Sequence, residues 1–153
     1  MRPAPESFAN RVCESFPGKL LDMRTIENTD IEDPVMRRML EKHLKTDDFF
    51  DVGRFPEARF QLTKITATPD AVPGSPNFEI TGGLTLKNVS RVLTFPAIFG
   101  ITPDGLLAAD AHLDIDRTQW NVLYGSGKFY EKLGKHLVND VISLGLKMFT
   151  KTA

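Results

Sequence analysis

The sequence predicts an all-β fold, an antiparallel sheet of about six strands that curls around a hollow interior, with two short helices. Three observations carry this expectation. Beyond residue 56, successive stretches alternate apolar and polar side chains with a period of two, the signature of strands with one buried face. The connections at residues 88–90 and 102–105 are short enough for antiparallel hairpins. The expected inner face mixes bulky residues with Ala58, Gly82, Ala97, Ala109, Ala111 and Gly145. A strongly coiled sheet turns the space left by such small side chains into a cavity.

Residues 1–17 carry Pro3, Pro5 and Pro17 with little alternation and are expected to be irregular, leaving one domain over 18–153. In residues 18–28, Leu21, Met23 and Ile26 fit a strand with a slip near its end. Residues 34–45 follow as an amphipathic helix, with Asp33 as its cap, Pro34 at its first position, and Val35, Met36, Met39, Leu40 and Leu44 at helical spacing. "EARFQLTKITA" then sets Ala58, Phe60 and Leu62 on one face. "NFEITGGLTLKN" aligns Phe78, Ile80, Leu84 and Leu86, with Gly82 and Gly83 suggesting a bulge or sharp bend. "VLTFPAIFG" aligns Leu93, Phe95, Ala97 and Phe99, and Pro96 suggests an edge or another bulge. "LLAADAHLDID" places Leu107, Ala109, Ala111, Leu113 and Ile115 together. A second short helix is expected at residues 127–134. The last strand carries Val138, Ile142, Leu144, Leu146 and Met148 on one face.

Composition narrows the function classes. The 153 residues are 41% hydrophobic and 25% charged, ordinary for a folded domain, and hold 19 basic against 20 acidic residues for a net charge of −1. The basic residues are scattered, so no nucleic-acid partner is expected. Cys13 is the one cysteine, which excludes an internal disulfide and reads as an incidental thiol beside Glu14. The amino terminus lacks the apolar run of a secretory signal, so the chain as written is expected to stay in the cytoplasm.

Four collinear stretches carry a resemblance: "LEKHLKTDDFFDVGRFPEARFQLTKI", "ITGGLTLKNVSRVLTFPA", "LDIDRTQWNVLYGSGKFYEKLG" and "LVNDVISLGLKM". Together they resemble the YceI-like family of lipid- or polyisoprenoid-binding proteins over about residues 18–152, with Thr46 for the usual serine and Asn88 for the usual glycine. The resemblance implies an extended, eight-stranded, lipocalin-like antiparallel barrel around a long apolar chain. It implies carriage or storage of an isoprenoid-type lipid, no reaction and no cofactor, and a bacterial periplasmic setting. Family members place further strands ahead of the part matching "LLDMRTIEN", whereas only residues 1–17 precede it here. The expectation is therefore an incomplete barrel, explained by a start missed in the gene, by closure through residues 5–17, or by a homodimer formed along an unpaired sheet edge.

The expected lipid tunnel is lined by Phe60, Leu62, Phe78, Ile80, Leu84, Phe95, Leu107, Ala109, Ala111, Leu113, Ile142 and Leu144, with Phe49 and Phe50 closing its mouth after the helix. Two other readings stand beside the lipid binder. A hydrolase-like or other enzyme would use His43 as a base with Asp47 or Asp48. A truncated paralogue would act only through protein pairing. Asp47 and Asp48 also fit backbone capping of the turn. His43, His112 and His136 lack metal-ligand spacing, although His112 stands in phase with Asp110 and Asp114; no metal is expected. "IDRTQW" suggests an ion-paired turn of Asp116 with Arg117 that locks the strand end, with ligand head-group binding as the alternative, and Lys128 in "YGSGKF" could face an anionic head group.

Overall fold

The computed structural model describes residues 18–151. The irregular segment expected at 1–17, with Cys13, lies outside the described residues. Six strands run β1 (Gly18–Asp22), β2 (Glu57–Ala67), β3 (Phe78–Leu86), β4 (Val89–Ile101), β5 (Leu106–Asp116) and β6 (Val141–Lys151). They form one antiparallel sheet in sequence order, a meander with each strand beside its chain neighbour. One α-helix, α1 (Pro34–Leu44), links β1 to β2, and 3-10 turns occupy Met23–Thr25, Arg117–Trp120 and Gly134–His136.

Local chemistry accounts for most boundaries. The Asp33 side chain accepts from the amides of Val35 (2.8 Å) and Met36 (3.3 Å), and Pro34 needs no amide partner at the first helical position. The β3–β4 hairpin turns on Lys87 and Asn88, both at positive φ (48° and 62°), a conformation Asn adopts more readily than most residues. Pro96 is not on an edge strand. It pairs with Glu79 on the β3 side, while the β4–β5 ladder starts only at Ala97–Ala111, so its missing N–H interrupts no bond to β5.

The bulge expected at Gly82–Gly83 lies across the ladder instead. Register slips in β2 between Leu62 and Lys64, while β3 keeps strict alternation through both glycines. Gly82 is required for a different reason: a Cβ there would run into the Phe60 ring, which lies over it. The residue left unmatched by the slip, Thr63, donates its hydroxyl to the Thr81 carbonyl at 3.0 Å.

The second helix, expected at 127–134, does not form. The stretch makes a single turn around Ser126, whose carbonyl accepts from Phe129 and Tyr130, and then Lys132 and Gly134 take positive φ (56° and 52°). Phe129 and Tyr130 are exposed, so no apolar stripe meets a core to stabilise further turns. The last strand begins at Val141, leaving Val138 outside it with its amide on the Gly125 carbonyl.

Two apolar clusters divide the concave face. One gathers Phe78, Ile80, Phe95, Ala97, Phe99, Leu107, Ala109 and Ala111. The other gathers Ala58, Leu84, Leu86, Ile115 and Trp120, the last brought in by the 3-10 turn after β5. Trp120 is fully buried and donates its Nε1 to the Leu84 carbonyl at 2.9 Å, so the ring fills this end without leaving its N–H unpaired.

Candidate functional site

An apolar cavity of about 290 Å³ lies against the first cluster. Strands β2 to β5 contribute Phe60, Leu62, Ile80, Phe95, Ala97, Phe99, Ala109 and Ala111. The two ends of the sheet contribute the rest: Gly18 and Leu21 from β1, and Gly145, Leu146, Lys147 and Met148 from β6. First and last strands can border one space only if the sheet coils until its ends approach each other, as right-handed strand twist promotes. The curled sheet is a half-barrel with its opening between β1 and β6.

The hollow follows from which side chains share a level. Ala97, Ala111 and Leu146 are cross-strand neighbours, as are Phe99, Ala109 and Met148. Each level therefore has an alanine on β5, and one level has alanines on both β4 and β5. Phe60 and Phe95 meet with ring centroids 5.7 Å apart and wall the side nearer Trp120. Not every small residue leaves room. Ala58 is buried in the Trp120 cluster, and Gly82 is covered by Phe60. Among the described residues, Lys147 is the one ionisable residue of the lining.

Six of the fourteen expected site residues line this cavity: Phe60, Leu62, Ile80, Phe95, Ala109 and Ala111. Phe78 and Leu107 are buried in the adjoining cluster. Leu84 lies in the Trp120 cluster, with Leu113, Ile142 and Leu144 packed half-buried against it. Phe49 and Phe50 do not line the cavity. Phe49 is buried with its ring centroid 5.0 Å from His43 and 5.2 Å from Tyr124, while the Arg117 guanidinium lies 6.0 Å from its centroid. Phe50 is half-buried. Ala97, Phe99, Leu146 and Met148 were signalled by their period-two faces, whereas Gly18 and Leu21 enter only through the curl.

The polar constellations resolve into structure. His43 Nε2 lies 2.8 Å from Asp48 Oδ2, and the Phe49 and Tyr124 rings pack edgewise on the imidazole. Asp47 and Asp48 do not cap the turn, because its amides bond to main-chain carbonyls: Phe50 to Leu44, Asp51 to Thr46 and Val52 to Lys45. Asp116 and Arg117 do not pair with each other. Asp116 is held by Lys128 and by the Thr118 hydroxyl and amide. The Lys128 ammonium, first, and the Thr118 hydroxyl lower the Asp116 carboxyl from 3.8 to about 2. Arg117 is buried and donates to the carbonyls of Val122 (2.8 Å), Asn139 (2.9 Å) and Val138 (3.1 Å), with Asp140 at 3.7 Å. It therefore ties the end of β5 to the segment leading into β6. Asp114 accepts from Ser143 at 2.6 Å, and among the described residues no three His, Cys, Asp or Glu side chains gather as a metal site.

Comparison with known proteins gives both a family and a fold. The sequence model of the YceI-like domain matches residues 19–148. A UPF0312 protein of Pseudomonas putida (strain W619) is 39% identical over 59 residues, covering 39% of this chain and 28% of that protein. A UPF0312 protein of Vibrio parahaemolyticus is 36% identical over 59 residues, covering 39% of this chain and 29% of the relative. The aligned stretch thus spans less than a third of these curated relatives. Among solved structures, Burkholderia cenocepacia BcnA has a TM-score of 0.64 at 22% identity, covering 88% of this chain and 73% of that one. The Campylobacter jejuni YCEI protein has a TM-score of 0.61 at 19% identity, covering 87% and 70%. At these identities the structural likeness speaks for the fold alone.

Proposed function

The chain belongs to the YceI-like domain family, and from that premise we propose that it binds and carries an isoprenoid-type lipid in the apolar cavity, without catalysing a reaction. The cavity itself is the observation that carries the reading. Its volume of about 290 Å³ is at the lower end of small-ligand sites, ~300–1,000 Å³. A long chain would seat part of its length there and run on through the opening between β1 and β6. Each methylene withdrawn from water is worth about 0.8 kcal/mol, so ten offer about 8 kcal/mol before ordering costs. No directed polar chemistry is needed for such binding, and the lining supplies little.

Native mass spectrometry with solvent extraction tests the proposal on protein purified without harsh detergent. A co-purifying long-chain lipid of defined mass supports it. A protein that stays empty, and takes up no isoprenoid alcohol on titration, overturns it.

An enzymatic reading would rest on the His43–Asp48 contact. Among the described residues no serine hydroxyl or cysteine thiol is hydrogen-bonded to His43, so the pair is better understood as a lock on the turn after α1. Pairing of a second copy along the outer edge of β1 or β6 is a further part of the proposal. Neither edge has a strand partner among the described residues, and Leu20 and Phe149 are exposed along them. Sedimentation would give a dimer if this is right and a monomer at all concentrations if it is not. By family resemblance, the compartment proposed is the bacterial periplasm, which fractionation of the native protein would check.

A further inference from the structure

Helix α1 turns its apolar residues the wrong way for a helix stabilised by a core. No residue of the helix is buried, and Val35, Met36 and Met39 are 56%, 55% and 61% exposed. At 3.6 residues per turn these three fall within a sector of about 100°. The opposite side meets the body of the protein. There Leu40 and Leu44 are half-buried, Glu41 accepts from the Asn28 amide at 2.8 Å, and Arg37 donates to the Ile31 carbonyl at 2.9 Å. The helix is thus anchored by one face and presents two methionines and a valine on the other.

The charges beside that face point to what covers it. Arg38 and Lys42 project just to one side of the apolar sector, exposed and without an ion pair among the described residues. Within residues 34–45, Arg37, Arg38, Lys42 and Lys45 stand against the one acid Glu41, in a chain whose net charge is −1. Of the acids around the helix, Asp33 caps it, Asp30 accepts from Asn28, and Asp48 meets His43, which shares the apolar sector at the last turn, while Glu32 and Asp47 are exposed beyond its two ends. An exposed apolar sector flanked by free cations suits the plane where lipid headgroups meet acyl chains.

We propose that this face of α1 docks on an anionic lipid surface, Val35, Met36 and Met39 entering the acyl boundary while Arg38 and Lys42 meet the headgroup phosphates. The inference rests on the lipid-carrier reading, because a carrier must exchange its guest with a bilayer. Methionine suits the task, being unbranched and able to adapt to a fluid surface.

Co-flotation of the full chain with vesicles tests the docking. Binding is expected to vesicles of equal phosphatidylglycerol and phosphatidylcholine, to weaken as salt rises, and to be slight with phosphatidylcholine alone. The pair Arg38→Gln/Lys42→Gln should weaken it about thirtyfold, at ~1 kcal/mol per basic residue. The pair Met36→Gln/Met39→Gln should weaken it about tenfold or more. Both pairs should keep the wild-type melting temperature and bind a fluorescent long-chain probe in the absence of vesicles as the wild type does. Wild type that ignores anionic vesicles while binding the probe overturns the docking alone. So does vesicle binding that neither pair changes, or a wild-type dimer that Met36→Gln/Met39→Gln dissociates. Loss of probe binding in the wild type instead counts against the carrier reading.

Discussion

Replacing Ala111 by phenylalanine asks directly whether the interior is hollow where the cavity lies. Ala111 is buried between Ala97 on β4 and Leu146 on β6 and faces the cavity. A ring placed there occupies room that would hold about six carbons of a guest, worth about 5 kcal/mol at ~0.8 kcal/mol per methylene. Allowing half of that to be regained as the guest shifts toward the opening leaves about 2.5 kcal/mol, or about 70-fold in affinity. Ala58→Phe is the control. Ala58 is 1% exposed in the packed Trp120 cluster, where overpacking costs about 1–3 kcal/mol or more and should lower the melting temperature by about 5 °C. Titration with a fluorescent long-chain probe and thermal denaturation give both readouts. Ala111→Phe should melt close to the wild type and bind poorly, whereas Ala58→Phe should melt early. If both variants melt equally early, the space at Ala111 is not real. If Ala111→Phe stays folded and binds the probe normally, the guest sits elsewhere.

Three further outcomes follow from the polar and aromatic locks. Arg117→Met should cost about 3–5 kcal/mol in urea unfolding, because it strips the carbonyls of Val122, Val138 and Asn139 of their shared donor. Trp120→Phe should cost about 2 kcal/mol by removing the donor to the Leu84 carbonyl, and the wild-type tryptophan should emit at short wavelength until the chain unfolds. Asp116, held at about 2 by Lys128 and Thr118 against an ordinary 3.8, stabilises the fold above 3.8, and this contribution is lost as pH falls toward 2. Partly exposed and screened, the contribution should be about 1 kcal/mol, and Asp116→Asn should flatten the change in urea midpoint between about pH 5 and about pH 2.5.

How far the sequence could be read depended on whether a residue's role was local. Alternation along one strand exposed β2 to β6, and Asp33 with Pro34 announced α1, because these signals need no partner elsewhere. The bulge at Thr63 and the need for glycine at 82 both depend on the β2–β3 register, which neither strand carries alone. Arg117 next to Asp116 suggested a pair, yet Asp116 is held by Lys128 and Arg117 by the segment before β6. Leu21 borders the cavity only because the sheet curls, a property of all six strands together. The stretch "SGKFYEKLG" has residues that a helix tolerates, but no buried surface waits for its aromatic side chains.

The same alternating pattern produces a filled end and a hollow end, so the difference must come from outside the alternation. At the filled end the chain leaves β5, makes a 3-10 turn and returns Trp120 across the concave face to Leu84. The ladder between β4 and β5 stops at Ala97–Ala111, so β4 and β5 are no longer paired beyond that point, toward the end that Trp120 fills. Where β4 and β5 remain paired, alanines occupy inward positions and the walls stand apart. On the proposed carrier reading, a guest would have a direction as well as a site. Its tail would meet a wall at Phe60 and Phe95 on the Trp120 side, and its remaining length would have the flank between β1 and β6, where Lys147 stands, as its way out.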